Sequence, residues 1–288
     1  MKRTLYLYEA KGMTVRVDGP SLWIEQKGKA GKRVPLQMID RVVIVGNLRV
    51  DTAVLSHLSA ENLPVTIFTK NGKNISMLVS YDDSYPRYYH RQKVFYMSPL
   101  NEERFRNIVR HWRRRIQVSA LKRFSDGLYE TFRENNLKDR AFQRIIEFET
   151  LFYKDRYRMV YRIVYGMFCQ LILSVLTQSG LDPSLGVIHR RHPHGLVHDI
   201  AYMLEAEVQI QALQFFRARV AHTGITSIGV TTDGMRDIAQ RFENRKKAIW
   251  GITNMIIDNI IEAIKELEAR ARLMRRRPHH EDKLSFLL

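Results

Sequence analysis

The hydrophobic period of this 288-residue chain changes once, near residues 81–86, and that change limits the folds open to it. Before it, short apolar runs alternate with polar residues and are separated by turn signals, the pattern of β-strands. Leu5 and Leu7 alternate with Tyr6 and Tyr8, Val15 and Val17 flank Arg16, and Leu22, Trp23 and Ile24 form a third run. Asp18-Gly19-Pro20 and Lys29-Ala30-Gly31-Lys32 punctuate them as turns. Arg41 to Val45 reads as a buried strand ended by Gly46-Asn47, and Asp51-Thr52 opens a short helix carrying Val54, Leu55 and Leu58. Pro64–Thr69 and Ile75–Val79 complete the strand set. The polar segment Tyr81-Asp82-Asp83-Ser84-Tyr85-Pro86 reads as a linker, and beyond it the period is helical to the end. The expected class is therefore α+β: a small N-terminal β-sandwich-like domain over 1–82, then an all-α domain over 87–288. Helices are expected at roughly 137–178, 196–222, 233–245 and 246–274.

Charge narrows the partners. The chain carries a formal net charge of +17, and between Pro86 and Phe124 eleven Lys/Arg stand against two acids, Glu102 and Glu103. A surface of that sign gains affinity for nucleic acid by releasing counterions from phosphates. Tyr88, Tyr89, Phe95, Tyr96 and Trp112 are interleaved with the basic residues, which fits either base stacking or a core. The run Arg275-Arg276-Arg277 begins a basic tail. The single cysteine, Cys169, excludes an intrachain disulfide and a cysteine-based zinc site, and fits a reducing, cytoplasmic compartment. The N-terminus has no apolar run of signal-peptide length, and the apolar stretch Ile163–Leu176 is too short to span a bilayer, so it reads as a core helix. No membrane partner is expected.

No phosphate-cradling glycine loop is present, because Gly224 and Gly229 lack the spacing of one. The informative stretch runs from Gly180 to His189, with Asp199 ten residues later near the start of a new helix. An imidazole and a carboxylate brought together there could share a divalent ion, although histidines at 189, 192, 194 and 198 also fit a merely polar, basic loop.

Several motifs, in order, resemble the CRISPR spacer-acquisition integrase family. Pro35 to Asn47 is similar to its "PL..I..V.I.GN" strand, and Thr52–Leu58 with Leu63–Phe68 to the helix and strand that follow. Ser179 to His189 matches its Ala-Gly-Leu-Asp-Pro-x-Leu-Gly-x-x-His pattern, Leu196–Ile200 its next helix start, and Gln240-Arg241-Phe242-Glu243 a late helix. The resemblance implies a DNA endonuclease and integrase that inserts new spacers through attack of a DNA 3′-hydroxyl on the repeat. It also implies a site in which a glutamate, a histidine and a further acid hold Mg2+ or Mn2+. On that resemblance the catalytic and metal-binding residues are Glu149, His189 and Asp199, with Glu147 the alternative to Glu149. Thr150 stands where relatives have glycine, and Tyr202 where they have an acid one helical turn after Asp199. Three outcomes follow: Asp199 takes over as ligand, Glu205 reaches in, or the site is weakened. In the last case the chain would be an inert relative that binds DNA and scaffolds the adaptation complex. The implied partners are double-stranded and branched DNA, a second copy joined through the β domain, and a small ferredoxin-fold CRISPR protein.

Overall fold

A computed structural model describes residues 3–73, 75–78, 80, 84–218, 221 and 223–276, the last ten by backbone alone. The linker residues 81–83 and the tail beyond Arg276 lie outside the described residues, as does Val79. The fold class is the expected one, α+β. The strands are β1 (Arg3–Tyr8), β2 (Met13–Asp18), β3 (Ser21–Gln26), β4 (Lys29–Pro35), β5 (Ile39–Val45), β6 (Arg49–Val50), β7 (Val65–Phe68) and β8 (Ile75–Leu78), with α1 (Thr52–Ala60) between β6 and β7. They form two four-stranded sheets, β1-β5-β7-β8 and β4-β3-β2-β6. The turn read at Lys29–Lys32 is the start of strand β4, which pairs antiparallel with β3. Gly31 permits that pairing, since a Cβ there would lie 2.1 Å from the Trp23 ring.

Strand β5 explains why its sequence reads as one continuous apolar run. Val42 and Ile44 face the core between the sheets with Leu7, Val15, Leu22 and Val65. Val43 and Val45 face the opposite way and join the helical core with Phe68. A strand covered on both faces has no polar side to alternate with.

The helices are α2 (Tyr89–Met97), α3 (Pro99–Phe124), α4 (Asp126–Glu134), α5 (Asp139–Glu149), α6 (Lys154–Ser179), α7 (Gly195–Met203), α8 (Glu205–Phe216) and α9 (Thr232–Arg276). The element expected at 137–178 is thus two helices broken at Thr150–Tyr153. The one expected at 196–222 is α7 and α8, and the pair expected at 233–245 and 246–274 is a single helix. Helix α6 is long and apolar enough to cross a membrane by length and composition, but 72% of its apolar window is buried within the fold. It is the central core helix, as expected for Ile163–Leu176. Its Gly166 lets Phe68 of β7 approach, since a Cβ there would lie 2.5 Å from the phenyl ring. Gln170 donates to the carbonyls of Val42 and Pro64 at 3.3 Å each. A polar seam completes the contact between sheet and helices. Thr4 and Tyr6 donate to Glu243 of α9 at 2.8 and 2.9 Å, and Lys246 pairs with Asp40.

Candidate active site

His189 is delivered by a loop that the sequence builds tightly. Helix α6 ends on Gly180 with φ +73°, a conformation that favours glycine. Asp182 then accepts from the Ser184 amide and hydroxyl at 2.8 and 2.6 Å, while buried Gln92 of α2 bonds the Asp182 amide and the carbonyls of Asp182 and Leu185. Gly186 and Gly195 lie back to back: a Cβ on Gly186 would stand 2.4 Å from the Gly195 carbonyl carbon. That close approach folds the loop onto the start of α7, which carries Asp199 in its second turn.

Asp199 is fully buried and saturated with donors. It accepts from the amides of Val187, Ile188 and His189 at 2.6, 3.2 and 2.9 Å, and from His189 Nδ1 at 2.7 Å. These bonds fix the Nδ1–H tautomer and leave Nε2 as the ring nitrogen able to take a proton. His189 is the exposed member of the pair, its side chain 38% accessible. Around it stand His198, with ring centroids 5.9 Å apart, and Tyr202 at 6.1 Å. Tyr165 bonds His198 Nδ1 at 2.7 Å. Burial, and then the imidazoles of His192 and His189, hold the His198 pKa down to about 4.

Glu149 is not brought to this pair. It sits at the end of α5, 3.6 Å from Arg217 beyond the far end of α8, and Glu147 is solvent-exposed. Glu205, at the opposite end of α8, faces Arg113, a residue that sequence reasoning left among the basic helix positions. The Arg113 guanidinium is 9% exposed and bonds Asp139 Oδ1 through Nε and Nη2 at 3.2 and 2.7 Å. Its Nη1 donates to Glu205 at 2.9 Å and to the Tyr202 carbonyl at 2.6 Å, and its carbon lies 3.7 Å over the Tyr202 ring. Burial works against this charge, and the bonds to Glu205 and Asp139 outweigh it, raising the Arg113 pKa. Arg106, Arg110 and Arg114 line the same cavity of about 380 Å³, with Tyr202 and Ile188 on its wall. The aromatic residues tell against a stacking surface on these helices, for Tyr88, Phe95, Tyr96 and Trp112 are core.

Two sequence comparisons bear on what this site belongs to. The family model described as "CRISPR associated protein Cas1" matches residues 5–137. The CRISPR-associated endonuclease Cas1 1 of Thermodesulfovibrio yellowstonii is 39% identical over 61 residues, a match covering 21% of this chain and 19% of that relative. Residues 5–137 are thus similar to the Cas1 family. The chain's fold agrees: the Cas1 protein TM1797 of Thermotoga maritima superposes with a TM-score of 0.69 at 16% identity, covering 92% of this chain and 97% of that one. A chain of a Cas6-RT-Cas1–Cas2 complex gives 0.67 at 14% identity, covering 90% of this chain and 35% of that one. The aligned curated segment thus spans about a fifth of its relative, and the fold likeness carries the rest of the chain.

The metal set implied by resemblance to the Cas1 family does not fit the donors present. Among the described residues no three of His, Cys, Asp and Glu are grouped to hold an ion. Asp199 has its oxygens taken by three amides and an imidazole, Glu149 lies elsewhere, and a phenol at 202 is a poor ligand for Mg2+ or Mn2+.

Proposed function

We propose that this chain is a DNA strand-transfer subunit of CRISPR adaptation, joining the 3′-hydroxyl of a new spacer to the repeat. The observation that carries this reading is the His189–Asp199 pair, set beside an arginine-lined cavity in a Cas1 fold. His189 Nε2 takes the proton of the attacking 3′-hydroxyl as its oxygen bonds to phosphorus. The bond from phosphorus to the displaced deoxyribose oxygen breaks, and that oxygen recovers a proton from the imidazolium. Asp199 holds the tautomer and stabilises the imidazolium, and the guanidiniums lining the cavity face the charge that develops on the phosphate oxygens. Nicking is the same step with water as nucleophile.

The substrates on this reading are double-stranded and branched DNA. The working assembly pairs two copies through their β sheets and adds a ferredoxin-fold partner, in keeping with the Cas2 named in the solved complex. The test is integration and nicking on branched DNA with manganese, magnesium or EDTA, comparing wild type with His189→Ala. Product that depends on His189 and persists in EDTA supports the reading; product indifferent to the substitution, or lost in EDTA and restored by manganese, overturns it. A second reading, a DNA-binding scaffold without chemistry, is favoured by the absence, among the described residues, of a second acid beside the pair. It predicts binding of the same DNA with no product under any of the three conditions.

A further inference from the structure

We infer that Arg113 is the resident cation of this site, so that the protein takes up no divalent ion beside His189. This rests on the reading of His189 as the working group and concerns the source of positive charge next to it. Asp139 lines the cavity that borders Tyr202 and Ile188, and the Arg113 guanidinium on the same wall already bridges it to Glu205. The bridge is built from four directions. Gln117 donates to the same Asp139 oxygen at 2.6 Å, the Tyr161 hydroxyl lies 3.5 Å from Glu205, the Tyr202 carbonyl accepts from Nη1, and the Tyr202 ring covers one face of the cation. A divalent ion seeking Glu205 would have to strip it from Arg113. That would leave a guanidinium less than a tenth exposed beside a new double charge, the costliest way to break a buried ion pair. His189 alone offers one nitrogen, whereas Mg2+ and Mn2+ prefer several carboxylate and water oxygens. The guanidinium supplies a permanent charge with fixed geometry, which no chelator removes.

Manganese titration of the full chain without DNA, followed by the electron paramagnetic resonance of the free ion, tests this. Wild type and His189→Ala should leave the free-ion signal equally undiminished. Arg113→Gln frees Asp139 and Glu205 and should gain a single bound ion per chain, which the added substitution Glu205→Gln should remove. A wild-type protein that binds a single manganese and loses it in His189→Ala overturns the inference. So does a folded Arg113→Gln protein that gains no ion. If Arg113→Gln does not fold, the wild-type and His189→Ala titrations decide alone. Because no DNA is present, this outcome is independent of the strand-transfer assay.

Discussion

Asp199 shows what a single side chain does here: it closes the 187–189 turn and sets one imidazole, with no atom left over for other partners. Asp199→Ala would strand three amides in a buried place, and charged hydrogen bonds of this kind carry about 1.5–3 kcal/mol each before relaxation. A loss on the order of 3 kcal/mol is expected in urea denaturation, together with loss of strand transfer; unchanged stability would mean that the turn is held by something else. His198 adds a pH dependence. Its folded pKa of about 4 lies below the ordinary 6.5, so between these values the unfolded chain binds more protons. Stability therefore rises with pH across that window and is lost on acidification. Thermal melts from pH 7 down to 4 should show Tm falling, with a flatter profile in His198→Gln; parallel profiles would exclude His198 as the source. The His189–Asp199 pairing was legible because the two lie in successive motifs, ten residues apart. Arg113 was not, since it is one of eleven similar bases in its segment and its acids lie 26 and 92 residues away.

Helix boundaries were the least legible elements, for a physical reason. The apolar period runs on from α7 into α8 with neither Gly nor Pro at Leu204, and the α5–α6 break falls at Thr150 instead of a strong breaker. There the Thr150 hydroxyl donates to the Ile146 carbonyl at 2.8 Å, turning the last helical turn back on itself. The strands were clearer, except β4, whose Lys-Ala-Gly-Lys opening looks like a turn until it pairs with β3. Two glycines at element contacts make predictions. Gly166→Val would press its Cβ into buried Phe68, and overpacking of this kind costs about 1–3 kcal/mol, read as a lowered Tm. Gly186→Ala would push the loop off Gly195 and move His189. Strand-transfer rate should fall far more than DNA affinity, and an equal fall in both would argue that the loop only binds.

At the scale of the molecule, one face of the β1-β5-β7-β8 sheet joins the helical core through β5 and Phe68, and sheet and helices are tied again by the Thr4, Tyr6 and Asp40 contacts to α9. The division into strand and helix was readable from the change of period, whereas this seam was not, because its residues lie more than 200 positions apart. The net charge of +17 predicts DNA affinity that falls steeply with salt, measured by fluorescence anisotropy from low to moderate ionic strength; a flat response would remove the phosphate-contacting surface from the account. The proposed role of His189, held by Asp199 and flanked by arginine charge, is strand transfer. Its most direct test is the rate at which a labelled DNA 3′-end joins a repeat duplex in EDTA. Wild type should join the ends and His189→Ala should not. Joining that vanishes in EDTA and returns with manganese, or that survives loss of His189, would contradict it.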